Sequence, residues 1–366
     1  MNLRRKLTAV SLIALCIFTV TVPLVSVATA TDTANGLAAP DVTTPSVGEG
    51  LTPPDPNPDS VGEGLAPPDS NPDSAGEELT PPESTAESEK TTDSLLVYIA
   101  KEDKTVTMSL EDYIVCVVCA EMPYTFHTEA LKAQAVAARS YCLYKLGSAS
   151  HKDGADVCTD YSHCQSYVSK DELTARYGKT TTESILTKVK NAVKATEGQI
   201  ITWDSKPALA VFHSSSYKYT ESSKNIWGGN VPYLTSVSTP ESDRVSTVTL
   251  TDSDIATLFS SESAVKVNST GKNGIYVTKT DSGRADYICL SGVAVKAKLL
   301  RSQFGFKSTN FEFEEIDGGW RFTVHGYGHG VGMSQYGANE MAKNGGTYDE
   351  ILLHYYTGVT IETVKK

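Results

Sequence analysis

Eleven of the sixteen prolines fall between residues 31 and 94, in a stretch without one aromatic residue, and this confines any folded core to the chain beyond residue 94. From Ser46 the stretch runs as three 14-residue units, SVGEGLTPPDPNPD, SVGEGLAPPDSNPD and SAGEELTPPESTAE. Such a chain has too little apolar surface to offset the entropy lost on ordering, so residues 31–94 are expected to form an extended, disordered linker. The units lack helical or strand periodicity, which argues against a solenoid. Fourteen acidic residues against Lys90 stretch the linker further by mutual repulsion. With this tract and Arg4, Arg5 and Lys6 set aside, the formal charge of −12 shrinks to −2 for residues 95–366. A nearly neutral domain argues against a nucleic-acid binder working through a broad basic surface.

Residues 1–30 set the expected compartment. Arg4, Arg5 and Lys6 precede an uncharged run from Leu7 to Ala30 that ends Ala28-Thr29-Ala30. A basic start, an apolar middle and small residues at the end describe a signal peptide; the length also suits a retained N-terminal membrane anchor. Either way the rest of the chain is expected outside the cytoplasm, secreted or held at the membrane. Seven cysteines over 366 residues are too dilute for a disulfide miniprotein.

The folded region reads as α+β, with a mixed or antiparallel sheet and packed helices, because helices and strands do not alternate strictly. Short strands are predicted at Leu95–Ala100 and Thr105–Met108. Ser109 then caps a helix that must end at Glu121-Met122-Pro123. Thr128 is expected to cap a second, Ala-rich helix running to about Leu146. A further helix is predicted over Glu183–Thr196, with strands over Gln199–Trp203 and Ala208–His213. In the Ser/Thr/Asp/Gly-rich stretch from about Ser236 to Phe313 only Asp252–Phe259 looks helical. A strand over Trp320–His325 precedes helices over Ser334–Lys343 and Tyr348–Tyr356.

Four constellations carry chemistry. Glu121, beside Met122 and Pro123, is a carboxylate that partial desolvation would turn into a general acid; the residues alone leave a solvated helix end open. His151, Cys158 and Cys164 have the donor types of a zinc site in a turn-rich loop, with His163 as a further donor, while a Cys158–Cys164 disulfide fits the compartment equally well. Ser215 and Lys218 match S-x-x-K, but no K-T-G accompanies them. Gly326, Gly328, Gly330 and Gly332 alternate with Tyr327, His329 and Val331 ahead of a helix, a backbone poor in side chains that would bring His329 and Gln335 to a ligand. Cys116 and Cys119 form a CxxC on a helix, where they fill core positions rather than carry redox chemistry.

Taken together, LEDYIVCVVCAEMP, EALKAQAVAARSY, HCQSY, FHSSS, GYGHGVGMSQYGA and ILLHYYTGV resemble the stage II sporulation protein D family, which includes amidase enhancers. The resemblance runs from about Leu110 to Ile361. It implies a catalytic domain over 95–366 with a substrate groove between lobes, acting as a lytic transglycosylase on peptidoglycan glycan strands stripped of stem peptides. It makes Glu121 the catalytic acid and base. Arg139, His213, Ser214, Ser216, His329, Gln335 and Tyr336 are then expected to bind glycan or line the groove. It implies zinc on His151, Cys158 and Cys164, with Glu121 as a fourth contact, and a cell-wall amidase as partner. A non-catalytic enhancer of that amidase is the alternative. Tyr217 and Lys218 depart from the small residues usual after FHSxS and are expected to narrow the groove.

Overall fold

The computed structural model describes residues 94–146, 151–161, 163–260, 264–266 and 274–364. The expectations for residues 1–30 and, Ser94 apart, for the linker lie outside this set. The chain opens with β1 (Leu95–Ile99), β2 (Lys104–Met108), α1 (Leu110–Glu121), α2 (Thr128–Lys145), β3 (Val157–Cys158), α3 (Lys170–Tyr177) and α4 (Lys179–Ala195). It continues through β4 (Gln199–Trp203), β5 (Lys206–Pro207), β6 (Phe212–His213), β7 (Lys218–Tyr219), α5 (Ser223–Trp227) and β8 (Ser238–Thr239). Then come β9 (Val245–Thr251), α6 (Asp252–Phe259), β10 (Val265–Lys266), β11 (Ile275–Lys279), β12 (Ala285–Leu290), β13 (Val293–Lys296), α7 (Lys298–Phe304), β14 (Phe311–Ile316) and β15 (Gly319–His325). The last elements are β16 (Met333–Ser334), α8 (Gln335–Lys343), α9 (Tyr348–Tyr355) and β17 (Thr360–Thr363).

This is an α+β fold with small mixed sheets. β1 pairs antiparallel with β2 and parallel with β3. β4 lies between β5 and β17, and β6 runs parallel to β16, with Phe212 opposite Met333 and His213 opposite Ser334. Two antiparallel sheets, β14-β15-β9 and β10-β13-β12-β11, belong to the middle of the chain.

Two hydrophobic cores follow from this order. The first draws on α1, α2 and α4 (Tyr113, Ile114, Val117, Leu131, Val136, Ile185, Val189) and on late residues such as Met333, Ile351 and Tyr355. The second, with Leu250, Ile255, Leu258, Ile288, Leu300, Phe306, Phe322 and Val324, is built wholly from residues 250–324. The second lobe is thus an insertion between β8 and β16 of the first. Its aromatic side chains meet edge-on, as Phe306 does with both Phe311 and Phe322.

Local chemistry explains the helices that matter to the site. Ser109 caps α1 by accepting from the Asp112 amide, Glu111 and Asp112 favour its first turn, and Met122 turns extended ahead of Pro123. His127, rather than Thr128, caps α2: its ring accepts from the Glu129 amide. α2 buries Ala130, Ala133, Ala135, Ala137 and Ala138, whose small side chains let it sit close to its neighbours. α3 and α7 were not expected from the sequence. Ala208–Val211, an apolar run expected as strand, is buried without a ladder; the Val211 amide turns back to the Leu209 carbonyl instead.

Candidate active site and metal centre

Glu121 ends α1 with its side chain wholly buried. Its Oε1 accepts from the Ser166 amide at 2.8 Å, and its Oε2 has no hydrogen-bonding partner among the described residues. Beside it lies a cavity of about 30 Å³, closed by Met122, Pro123 and Tyr124 and by Leu173, Arg176 and Tyr177 of α3. Burial pushes the carboxyl up to about 7; the bonds from Ser166 work the other way and lose. A group poised there is half protonated at neutral pH, able to give a proton and to take one back.

Four donors meet around β3: His151 before it, Cys158 within it, and His163 and Cys164 after it. Atoms of His151, Cys158, His163 and Cys164 all lie within 4.8 Å of one another. His151 Nε2 is 3.1 Å from Cys164 Sγ, and His163 Nδ1 is 3.3 Å from Cys158 Sγ and 3.6 Å from Cys164 Sγ. Tetrahedral zinc bonded to nitrogen at about 2.0 Å and sulfur at about 2.3 Å needs such separations, so the residues fit the metal. Both cysteines are free thiols, so the disulfide is not formed. The Cys164 thiol donates to Cys158, which holds Cys158 below its ordinary range and Cys164 above it. The fourth donor is His163; Glu121 is not in the cluster. The other paired cysteines differ. Burial raises the Cys119 thiol to about 12 and raises Cys116, which keeps the CxxC protonated and inert.

The residues expected on the opposite wall form a buried polar hub. His213, Ser214, Ser216, His329 and Gln335 are at most 4% exposed, and only Tyr336 is half-buried. Arg284 Nη2 donates to Ser216 Oγ at 3.0 Å, and a guanidinium only donates. The Val331 carbonyl, 3.1 Å from His213 Nδ1, can only accept, so the neutral ring carries its proton there and Nε2 accepts from the Ser216 hydroxyl, 2.5 Å away. Burial, then the nearby His329 and Arg284, hold His213 neutral, well below its ordinary range. The ring of His329 lies 5.4 Å from Trp227 and 5.7 Å from His213. Gln335 reaches Gln134 of α2, and Tyr336 packs on Phe126 beneath the Arg244 guanidinium, 4.0 Å from its ring. These contacts seat α8 against the segment just after Glu121.

Arg139 behaves differently from the expectation that it holds sugar. Nε and Nη2 fork onto the two Glu111 oxygens at 2.8 and 2.6 Å, and Nη1 donates to the Gln199 carbonyl, so the buried guanidinium ties α1, α2 and β4 together. Tyr217 and Lys218 both adopt positive φ, 62° and 67°, where glycine is at ease and they are strained. The Tyr217 ring stacks on His325, itself paired with Asp243, and Lys218 lies over the Tyr217 ring rather than on Ser215.

Sequence reasoning missed three charged residues that hold the hub. Glu241 Oε1 accepts from the Ser216 and Tyr217 amides and, with Oε2, from the Ser334 hydroxyl. Arg284 packs against Gly330, where a Cβ would come within 2.6 Å of its guanidinium. Glu221 accepts from the Ser222 amide, Asn225, Thr280 and Ser282. None belongs to a motif, and Arg284 meets Ser216 across 68 positions, so no local signal marks them.

The family model of the stage II sporulation protein, SpoIID, matches residues 98–203, a span that includes Glu121 and the His/Cys cluster. Stage II sporulation protein D of Bacillus subtilis (strain 168) is 36% identical over 270 residues, 73% of this chain and 78% of that protein. The protein of the same name from Bacillus amyloliquefaciens is 35% identical over the same shares. The amidase enhancer of Bacillus subtilis (strain 168) is 28% identical over 66% of this chain but only 39% of its own length. With more than two thirds of a relative above 30% identity matched, the chain belongs to the stage II sporulation protein D family.

Proposed function

We propose that the protein is an exported lytic transglycosylase that cleaves MurNAc–GlcNAc linkages of denuded peptidoglycan strands and leaves 1,6-anhydroMurNAc ends. Glu121 carries this reading: a buried carboxyl lifted to about 7, one oxygen held by Ser166 and the other unpartnered beside a cavity that no second carboxylate lines. Hydrolysis would need a second carboxylate to activate water or attack the sugar. A transglycosylase does not. Protonated Glu121 donates to the glycosidic oxygen as the C1–O bond breaks and its electrons pass to that oxygen. The carboxylate then takes the C6 hydroxyl proton as the C6 oxygen bonds to C1, which restores the acid. A cavity of about 30 Å³ holds roughly one water, so a sugar ring reaches Glu121 only when α3 gives way.

His151, Cys158, His163 and Cys164 would hold zinc. Four protein donors complete a tetrahedral shell, so the metal would supply a cross-link rather than an open coordination position. Residues 1–30, as signal or anchor, would place the domain at the cell wall, where an amidase would supply denuded strands. A second reading, a non-catalytic stimulator of that amidase, draws on the similarity to the amidase enhancer and on the closed position of Glu121.

The test incubates the full chain, wild type and Glu121→Gln, with denuded strands and looks by mass spectrometry for 1,6-anhydromuramoyl ends. Ends made by wild type alone establish the reaction. Strand binding by both without any ends replaces it with the accessory role.

A further inference from the structure

A second cavity, of about 260 Å³, shares no lining residue with the one at Glu121. It sits where the two lobes meet, between Trp227 at the end of α5, which packs on the first core, and Ala285 of β12, which belongs to the second. Three lysines line it against a single aspartate. Lys296 is held by Asp286 at 2.7 Å and lies over the Tyr287 ring. Lys224 and Lys298 are exposed and form no ion pair among the described residues, so the cavity has a net positive charge that nothing in the fold uses. Asn225 also lines it; its Nδ2 donates to Glu221, which leaves the amide oxygen to accept from a hydroxyl group. The Trp227 ring, against His329 at 5.4 Å, connects this cavity to the polar hub.

A flat indole beside two unpaired ammonium groups and an amide matches a sugar ring that carries an anion: the ring packs on the indole and the anion meets the lysines. We propose that this cavity is a binding site for a carboxylate borne on a sugar, and that Lys224 and Lys298 are the residues that read the free lactyl carboxylates of the denuded strands proposed above. The inference rests on the substrate proposed above, and its chemistry follows from the amide bond that ties stem peptide to muramoyl lactate. Hydrolysis of that amide leaves one carboxylate on each muramoyl residue. A strand still bearing peptide has a neutral, bulky amide in the same place. Lys224 and Lys298 therefore read the product of the preceding hydrolysis and reject its substrate.

The experiment measures binding by the full chain carrying Glu121→Gln, which removes cleavage from the readout. Its ligands are denuded muramoyl strands, the same strands with their peptides, and neutral chitooligosaccharides of equal length. The denuded strand is expected to bind about tenfold tighter than the other two at low salt, a difference that about 1.4 kcal/mol supplies and that added salt erodes. Lys224→Ala with Lys298→Ala should level the three affinities while that for chitooligosaccharide stays unchanged; both side chains are exposed, so the fold does not depend on them. Equal affinities before the lysines are changed, or a preference that survives their loss, overturn the proposal. Failure of the transglycosylase reading looks different: no anhydro ends form, yet the carboxylate preference remains.

Discussion

Glu121 owes its acidity to desolvation outweighing the Ser166 bonds, and that balance makes stability depend on pH. Its folded value of about 7 stands above the ordinary 4.5, so between those limits the folded state holds more protons than the unfolded one. Unfolding then becomes easier as pH rises through the window, and the stability the proton gave is fully present only below it. The difference is of the order of 3 kcal/mol. Gln in place of Glu121 keeps the amide bond to Ser166 and has no charge to desolvate. Urea melts should show Glu121→Gln about 3 kcal/mol more stable than wild type at pH 8 and nearly equal at pH 4, with transglycosylase turnover reduced by about 10²-fold or more. A gain of the same size at both pH values would mean that the carboxyl titrates alike in the folded and unfolded chain. Arg139 has a different part. Its fork onto Glu111 is a part-buried bidentate pair, so Arg139→Lys should lower the melting temperature by removing one of the two parallel bonds, with chemistry in the surviving folded fraction unchanged.

Among the elements, the glycine run and α3 have opposite roles. Gly332 has φ +71°, and a Cβ there would stand 2.1 Å from the Val211 carbonyl oxygen, a backbone atom fixed by the Met333 amide and the Tyr356 hydroxyl. Gly345 has φ +94° but nothing within 4 Å. Alanine at Gly345 should cost about 1–2 kcal/mol in backbone strain alone, and alanine at Gly332 about 3 kcal/mol or more, measured by thermal melts of the two variants. α3, by contrast, buries Leu173 alone. Its amides should exchange with solvent faster than those of α4, which buries Thr182, Ile185, Val189, Ala192 and Val193. Equal protection would mean that α3 does not open over Glu121. The sequence offered a capping box at Ser169 and Glu172, but only Leu173, Ala175 and Tyr177 of the eight residues are apolar, too few to set a period, so α3 was not legible from its pattern. α7 was hidden because Ala297 caps it with no side-chain bond. α1 and α6 were legible because Ser109 and Thr251 cap them ahead of periodic apolar residues. At the site, Glu121 and the His/Cys donors lie in short motifs. Glu241 and Arg284 act across tens of positions, and a contact of that kind leaves no trace in a single sequence.

At the scale of the molecule, the four His/Cys residues of the cluster belong to one lobe only. Cys158 lies in β3, beside β1, and both Cys158 and Cys164 pack into the first core with Val97 and Tyr113. The second core is assembled from residues 250–324 without any of them. A metal bound by these donors stabilises the folded state by what it adds to folding, and that energy enters where its ligands are anchored. Elemental analysis should find about one zinc per chain, fewer in Cys158→Ser and His163→Ala, and an unchanged content in Glu121→Gln, since His163 completes the shell. Chelation should lower the melting temperature. Hydrogen exchange should then rise over β1, β3 and residues 159–166, including the Ser166 amide that meets Glu121, while β12, β14 and β15 keep their protection. Loss of protection in both lobes together would mean that the two cores unfold as one unit, with the insertion depending on the first lobe. No metal in the purified chain and no response to chelator would leave the four donors as a packed thiol–imidazole cluster, and Ser166 would then be held by the fold alone.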